Sequence, residues 1–233
     1  MSAIAIPRPN VATKSISQLS GFWDTPIGKK AVMAVTGVIL FGFVTGHMIG
    51  NLQIYLGPEK LDAYAKALHS LPGLLWGVRL ALLAAVGLHI LASVQLTKQS
   101  WAARPVGYRK KEAMAASYAA RTMRWSGPII AAFIVYHLLH FTVGSAHPHF
   151  QELQVYRNVV TGFQVIPVSI AYIVAMILLG MHLNHGLWSM FQSLGISHPR
   201  YTPKFKVFAQ VFSAVIVIGN CSIPISIMTG LVR

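Results

Sequence analysis

The chain has 233 residues, 55% of them hydrophobic and only 10% charged, with a mean hydropathy of +0.58. A soluble domain carries roughly 25% charged residues, so an ordinary water-facing surface is excluded and a bilayer is the expected solvent. The formal charge of +14, from 19 Lys and Arg against five Asp and Glu, is clustered between apolar runs, which reads as membrane topology and not as a nucleic-acid surface. Residues 1–30 contain Pro7, Pro9 and Asp24 and no continuous apolar stretch, so they read as an N-terminal segment and not as a signal peptide. From residue 31 onward five runs have the roughly 20 mostly apolar residues that a spanning helix needs. They are 31–55, 74–97, 125–145, 166–191 and 206–230. Gly57-Pro58, Pro72-Gly73, Gly144, Pro148, Pro167 and Pro203 punctuate them. Trp76, Tyr172 and Trp188 read as interfacial anchors. The expected architecture is all-α, a five-helix transmembrane bundle over residues 31–230.

The basic residues orient that bundle. Segment 1–30, the connection after the second span and the connection after the fourth together hold 14 Lys and Arg, among them Lys29, Lys30, Lys98, Arg124 and Lys206. The opposite side holds five: Lys60, Lys66, Arg79, Arg157 and Arg233. The N-terminus is therefore expected in the cytoplasm and the C-terminus outside. The basic face can serve as an anchor for anionic lipid or as a docking surface for a soluble partner.

Six of the ten histidines lie within the runs, namely His47, His89, His137, His140, His182 and His185, and no Asp or Glu does. Intramembrane ionisable residues are costly, which makes them functional candidates. A single neutral His can simply hydrogen-bond across helices. Four helices that each carry one are better explained by a shared ligand set. At ~1.5 Å rise per residue, His47 and His137 lie roughly 25 and 20 Å from the cytoplasmic ends of their helices, whereas His89 and His182 lie roughly 14 and 15 Å from theirs. An outer pair and an inner pair result.

A zinc or di-iron site draws three or four ligands together, usually with Cys or carboxylates, and none of those is available at these depths. A haem iron takes two axial ligands from facing helices, so two stacked bis-His haems fit four helices and two levels. No CxxCH occurs for covalent attachment, and the lone Cys221 forms no internal disulfide. The haems are therefore expected to be non-covalent b haems. A proton relay usually adds Asp or Glu, so the lack of acids weighs against a pump. Gly42, Gly46 and Gly50 make a small-residue ridge beside His47, which serves close helix contact or makes room for a ring. Gly186, four residues after His182, can do the same. His140 and His185 each sit three residues from a ligand candidate, on the same helix face, and suit hydrogen bonding to a ligand histidine, a haem propionate, the neighbouring helix or a quinone. Spacing alone also allows either to be the ligand itself.

The residues then resemble a known family, the single-subunit, five-helix, dihaem cytochrome b anchor of succinate:quinone oxidoreductases and fumarate reductases. The resemblance rests on Thr36-Gly37 with Gly46-His47-Met48, on Val86-Gly87-Leu88-His89, on Arg124-Trp125-Ser126-Gly127 followed by His137, and on His182-Leu183-Asn184-His185-Gly186-Leu187-Trp188-Ser189. It covers roughly residues 20–230. It implies that His89 and His182 ligate the haem nearer the cytoplasm and His47 and His137 the haem nearer the outer face. It also implies Arg124 as a propionate partner. Ser193 departs from the pattern, because some relatives have a Lys at that place.

By that resemblance the chain is the membrane anchor of a complex II type succinate dehydrogenase in a bacterial-type inner membrane. A flavoprotein and an iron–sulfur subunit sit on its cytoplasmic side, and a membrane quinone is the other redox partner. The chain has neither a GxGxxG element nor a cysteine cluster, so dehydrogenation itself belongs to those partners. His69 and Arg79, with His140 and His185, are donors a quinone head group could use, although Arg79 also suits snorkelling at the interface. Three other readings compete: a haem-free transporter whose histidines bind metal or protons, an anchor that only tethers an enzyme, and a dihaem cytochrome serving a different dehydrogenase.

Overall fold

Thr25 opens the first long helix. Its backbone is extended, its Oγ1 accepts the Gly28 N–H at 2.9 Å, and Pro26 follows as the first helical residue. The computed structural model describes residues 21–103 and 118–233. Its helices are α1 (Pro26–Asn51), α2 (Pro58–His69), α3 (Pro72–Ala102), α4 (Tyr118–Phe141), α5 (Val155–Gln164), α6 (Ile166–Ser193) and α7 (Thr202–Met228), and no strand occurs among the described residues. A 3-10 turn, Leu52–Leu56, leads from α1 to Gly57, whose φ of +95° suits a residue without a Cβ. Pro in the first turn starts α1, α2, α3, α6 and α7.

Among the described residues four helices are long and apolar enough to cross a membrane: α1 with its following turn, α3, α6 and α7. The fifth expected span, 125–145, falls on α4, which is a 24-residue helix but is not among those four. Arg124, Trp125, Pro128, Tyr136, His137 and His140 lower its hydropathy below that of its neighbours. Two further helices, α2 and α5, occupy stretches expected to be plain connections.

Antiparallel neighbours build the bundle. Thr36 of α1 meets His89 of α3, Ser126 of α4 meets His182 of α6, and Phe191 of α6 stacks on Phe205 of α7. The α1 helix also packs on α6 and α7, with Phe41 and Phe212 rings 4.5 Å apart. Backbone packing therefore runs α3–α1–α6–α4 in an arc, with α7 behind α1 and α6. Among the described residues no close helix pairing joins α1 to α4, α3 to α6, or α3 to α4. The α3 helix buries only Ala85 and Ala92, two turns apart on one stripe.

One end of the arc is capped. Leu61 of α2, Val160 and Phe163 of α5, Tyr172 of α6 and Ile223 and Ile227 of α7 form one buried cluster with Ile54 and Val232. The Tyr156 N–H donates to Asp62 Oδ1 at 2.9 Å, tying α5 to α2, and its hydroxyl donates to the Arg233 carbonyl at 2.9 Å.

Within lipid, apolar side chains gain little by leaving the tails, so close backbone approach decides which helices pair. The α6–α7 seam depends on Gly180, where an added Cβ would collide with Val217. Gly180→Val is expected to lower stability by ~1–3 kcal/mol through overpacking, read as a lower midpoint of thermal unfolding in detergent.

Candidate functional site

The four long helices of the arc each direct a histidine toward the helix diagonally opposite. His89 of α3 and His182 of α6 have ring centroids 6.4 Å apart, with planes inclined at 58°. His47 of α1 and His137 of α4 have centroids 5.7 Å apart, with planes at 89°. The two pairs bridge α3 to α6 and α1 to α4, two helix combinations without close backbone packing among the described residues. Among the described residues, no three His, Cys, Asp or Glu side chains come together as a metal-holding group. The histidines meet in twos.

Hydroxyl groups on neighbouring helices orient three of these four rings. Thr36 Oγ1 lies 2.7 Å from the Val32 carbonyl and 3.1 Å from that of Met33, so its one proton is committed to its own helix. A lone pair of Thr36 therefore faces His89 Nδ1 at 3.1 Å. That contact suits the tautomer with the proton on His89 Nδ1, which leaves the Nε2 lone pair for a ligand. Ser126 Oγ lies 3.4 Å from His182 Nδ1. Tyr172 Oη lies 3.4 Å from His137 Nδ1 and 3.0 Å from His140 Nδ1. His47 is exposed, makes no hydrogen bond among the described residues, and stacks on Phe43 at 5.3 Å.

The structure separates the residues of each i, i+3 pair. His140 is 0% exposed and packs on Tyr136, His147 and Tyr172. Its ring lies between Tyr136, at 5.4 Å, and His147, at 4.9 Å, and its Nε2 has no partner. His147 is itself pinned: it donates from Nε2 to the Asn158 carbonyl at 2.8 Å, and its Nδ1 accepts the His149 N–H at 3.1 Å. His185 meets Trp188 edge-on at 5.5 Å, and its buried Nδ1 is unpartnered. Arg124 is exposed, with its guanidinium 5.8 Å over the Trp101 ring at the end of α3. Arg79 lies over Trp76 at 5.1 Å, and His69 Nδ1 bonds the Ala65 carbonyl of its own helix at 2.8 Å, so neither approaches a histidine pair.

Two expectations about small and aromatic residues need correction. Tyr172 is buried and carries the hydroxyl between two imidazoles, so it is no interfacial anchor. Its place on the face of α6 that meets α4 becomes clear only once the helices are paired. The glycine ridge of α1 is not a continuous contact. An added Cβ at Gly50 would press on Tyr64, whereas at Gly42 and Gly46 it would meet nothing within 4 Å. Gly186, one turn from His182 and on its face, likewise opens on empty space.

No family model, no curated protein and no solved structure matches the chain. The geometry of the histidine pairs thus stands by itself. Tyr172→Phe keeps the ring and deletes the shared hydroxyl, leaving buried imidazole nitrogens without a partner. The expected loss is ~1–3 kcal/mol, measured as a lower unfolding midpoint, whereas Tyr55→Phe at the exposed cap should cost less.

Proposed function

We propose that the chain is the cytochrome b membrane anchor of a succinate:quinone oxidoreductase, carrying electrons between an iron–sulfur subunit and a membrane quinone through two non-covalent b haems. The observation that carries this reading is the arrangement of two imidazole pairs, each drawn from two helices that do not otherwise pack closely. A metal–imidazole bond is about 2 Å long, so a metal held from opposite sides places the ring centroids about 6 Å apart. The separations of 6.4 and 5.7 Å suit that requirement. Nδ1 hydroxyl partners at His89, His182 and His137 are the orienting contacts that metal-bound histidines usually have. The open space at Gly186, on the same face of α6 as His182, leaves room for a bulky flat occupant.

In this reading His89 and His182 hold the haem nearer the N-terminal end of α1, and His47 and His137 hold the other. Haem supplies one-electron chemistry, and ligation from both faces leaves no open position for oxygen. Thr36, Ser126 and Tyr172 keep the rings from turning. The apolar walls of α1, α3 and α6 exclude water, and α4 completes a five-span bundle. The unpartnered nitrogens of His140 and His185 support polar contacts to a propionate or a quinone. The basic end faces the cytoplasm and receives the iron–sulfur and flavoprotein partners.

A dithionite-reduced minus oxidised spectrum of the purified chain, with haem counted per polypeptide, is expected to give two b-type haems. Their absence in material made with adequate haem supply would overturn the reading and bring the transporter alternative forward. His182→Ala is expected to remove one haem and spare the other, and retention of both sinks that ligand assignment. Single cysteines placed in the 99–123 connection should react only from the cytoplasmic side; labelling from outside reverses the orientation.

A further inference from the structure

Among the described residues Lys29 is the one Lys or Arg that is buried, at 4% exposure. It forms no ion pair there; its recorded partner is the ring of Trp23, 5.9 Å from Nζ. Its helix carries no Asp or Glu, and Lys29 is the fourth residue of α1, where the macrodipole is positive. A buried cation at the positive end of a helix, without a counter-charge from the described chain, calls for an anion from elsewhere.

The helix period indicates where that anion lies. Lys29 and His47 are 18 residues apart, which is five full turns, so they fall on one line along α1. Thr36 falls within about 20° of the same line and lies roughly 10 Å along the axis from Lys29. Thr36 touches His89, and His47 faces His137. Lys29 thus extends, toward the N-terminal end, the face of α1 that both histidine pairs share.

We infer that the Lys29 ammonium is the counter-ion of a carboxylate at the edge of the flat cofactor held by His89 and His182, a haem propionate. This inference rests on the haem reading above. It gives the inner site a cation inside the bundle, where Arg124 is exposed and stacked on Trp101 and Ser193 carries no charge.

The test is a potentiometric titration of both haems in the holoprotein, comparing Lys29→Met, Lys29→Arg and Lys30→Met with the wild type. A cation beside the haem edge favours the reduced form. K29M should therefore move one haem to a more negative potential and leave the other in place. K29R should keep the wild-type value, and K30M, at an exposed neighbour, should not shift. K29Q takes the place of K29M if the latter does not assemble. Reconstitution with the dimethyl ester of haem, which lacks the carboxylate charge, should abolish the advantage in haem affinity that wild type has over K29M with free haem. Unshifted potentials in K29M, equal shifts in K29M and K30M, or an affinity loss in K29M that persists with the ester each overturn the assignment; the last gives Lys29 to another anion, such as a lipid phosphate. A wild-type chain without haem overturns both readings, whereas two haems with unmoved potentials overturn this one alone.

Discussion

Burying an imidazole in hydrocarbon costs free energy unless its ring nitrogens find partners, and the bundle is arranged around that demand. Helices that pack side by side supply hydroxyls: Thr36 of α1 to His89 of α3, Ser126 of α4 to His182 of α6, and Tyr172 of α6 to His137 of α4. Helices that stand diagonally supply the second histidine of each pair. Each of these three rings is gripped from behind by a neighbour while it looks across the gap at an opposite number. Packing alone would not produce that division of labour, because α3 buries only two alanines against the rest of the chain.

The two levels are not equivalent. The His89–His182 pair has a hydroxyl behind each ring, whereas at the other level Tyr172 serves His137 and His140 together and His47 leans on Phe43. A hydroxyl shared by two imidazoles holds each less firmly than a dedicated partner does. Orientation at the second level therefore relies more on aromatic stacking, with Phe133, Phe141 and Tyr172 all within 6 Å of the His137 ring centre.

Much of this was legible from sequence, for reasons that differ by element. Long apolar runs announce α1, α3, α6 and α7 because lipid demands length and hydropathy together. The α4 helix is harder to read for the same reason that it matters: the histidines, tyrosine and arginine that give it chemistry dilute its apolar signal. Histidine depth, counted at a fixed rise per residue, brings together the pairs whose rings lie close in the structure, since depth survives any rotation of a helix. Rotation itself is what depth leaves open, so the turning of His140 toward Tyr172 and the burial of Tyr172 emerge only from packing. The helices α2 and α5 are not announced by apolar length, because 12 and 10 residues are too short to span; their signal is an amphipathic face, which the length rule passes over.

The cap that α2, α5 and the last residues build has a bearing on the order in which the molecule comes together. Its ties join parts of the chain far apart in sequence: Asp62 to Tyr156 across 94 residues, Tyr156 to Arg233 across 77, and Tyr55 to Ser222 across 167. The α6–α7 hairpin, by contrast, needs only a short connection to close. Contacts of large sequence separation form late, because the chain entropy of closing such loops must be overcome before they yield any stabilisation. The imidazole pairs close over comparable separations, 90 residues for His47–His137 and 93 for His89–His182, so hairpin packing comes first and the cap and the two histidine levels close together after it.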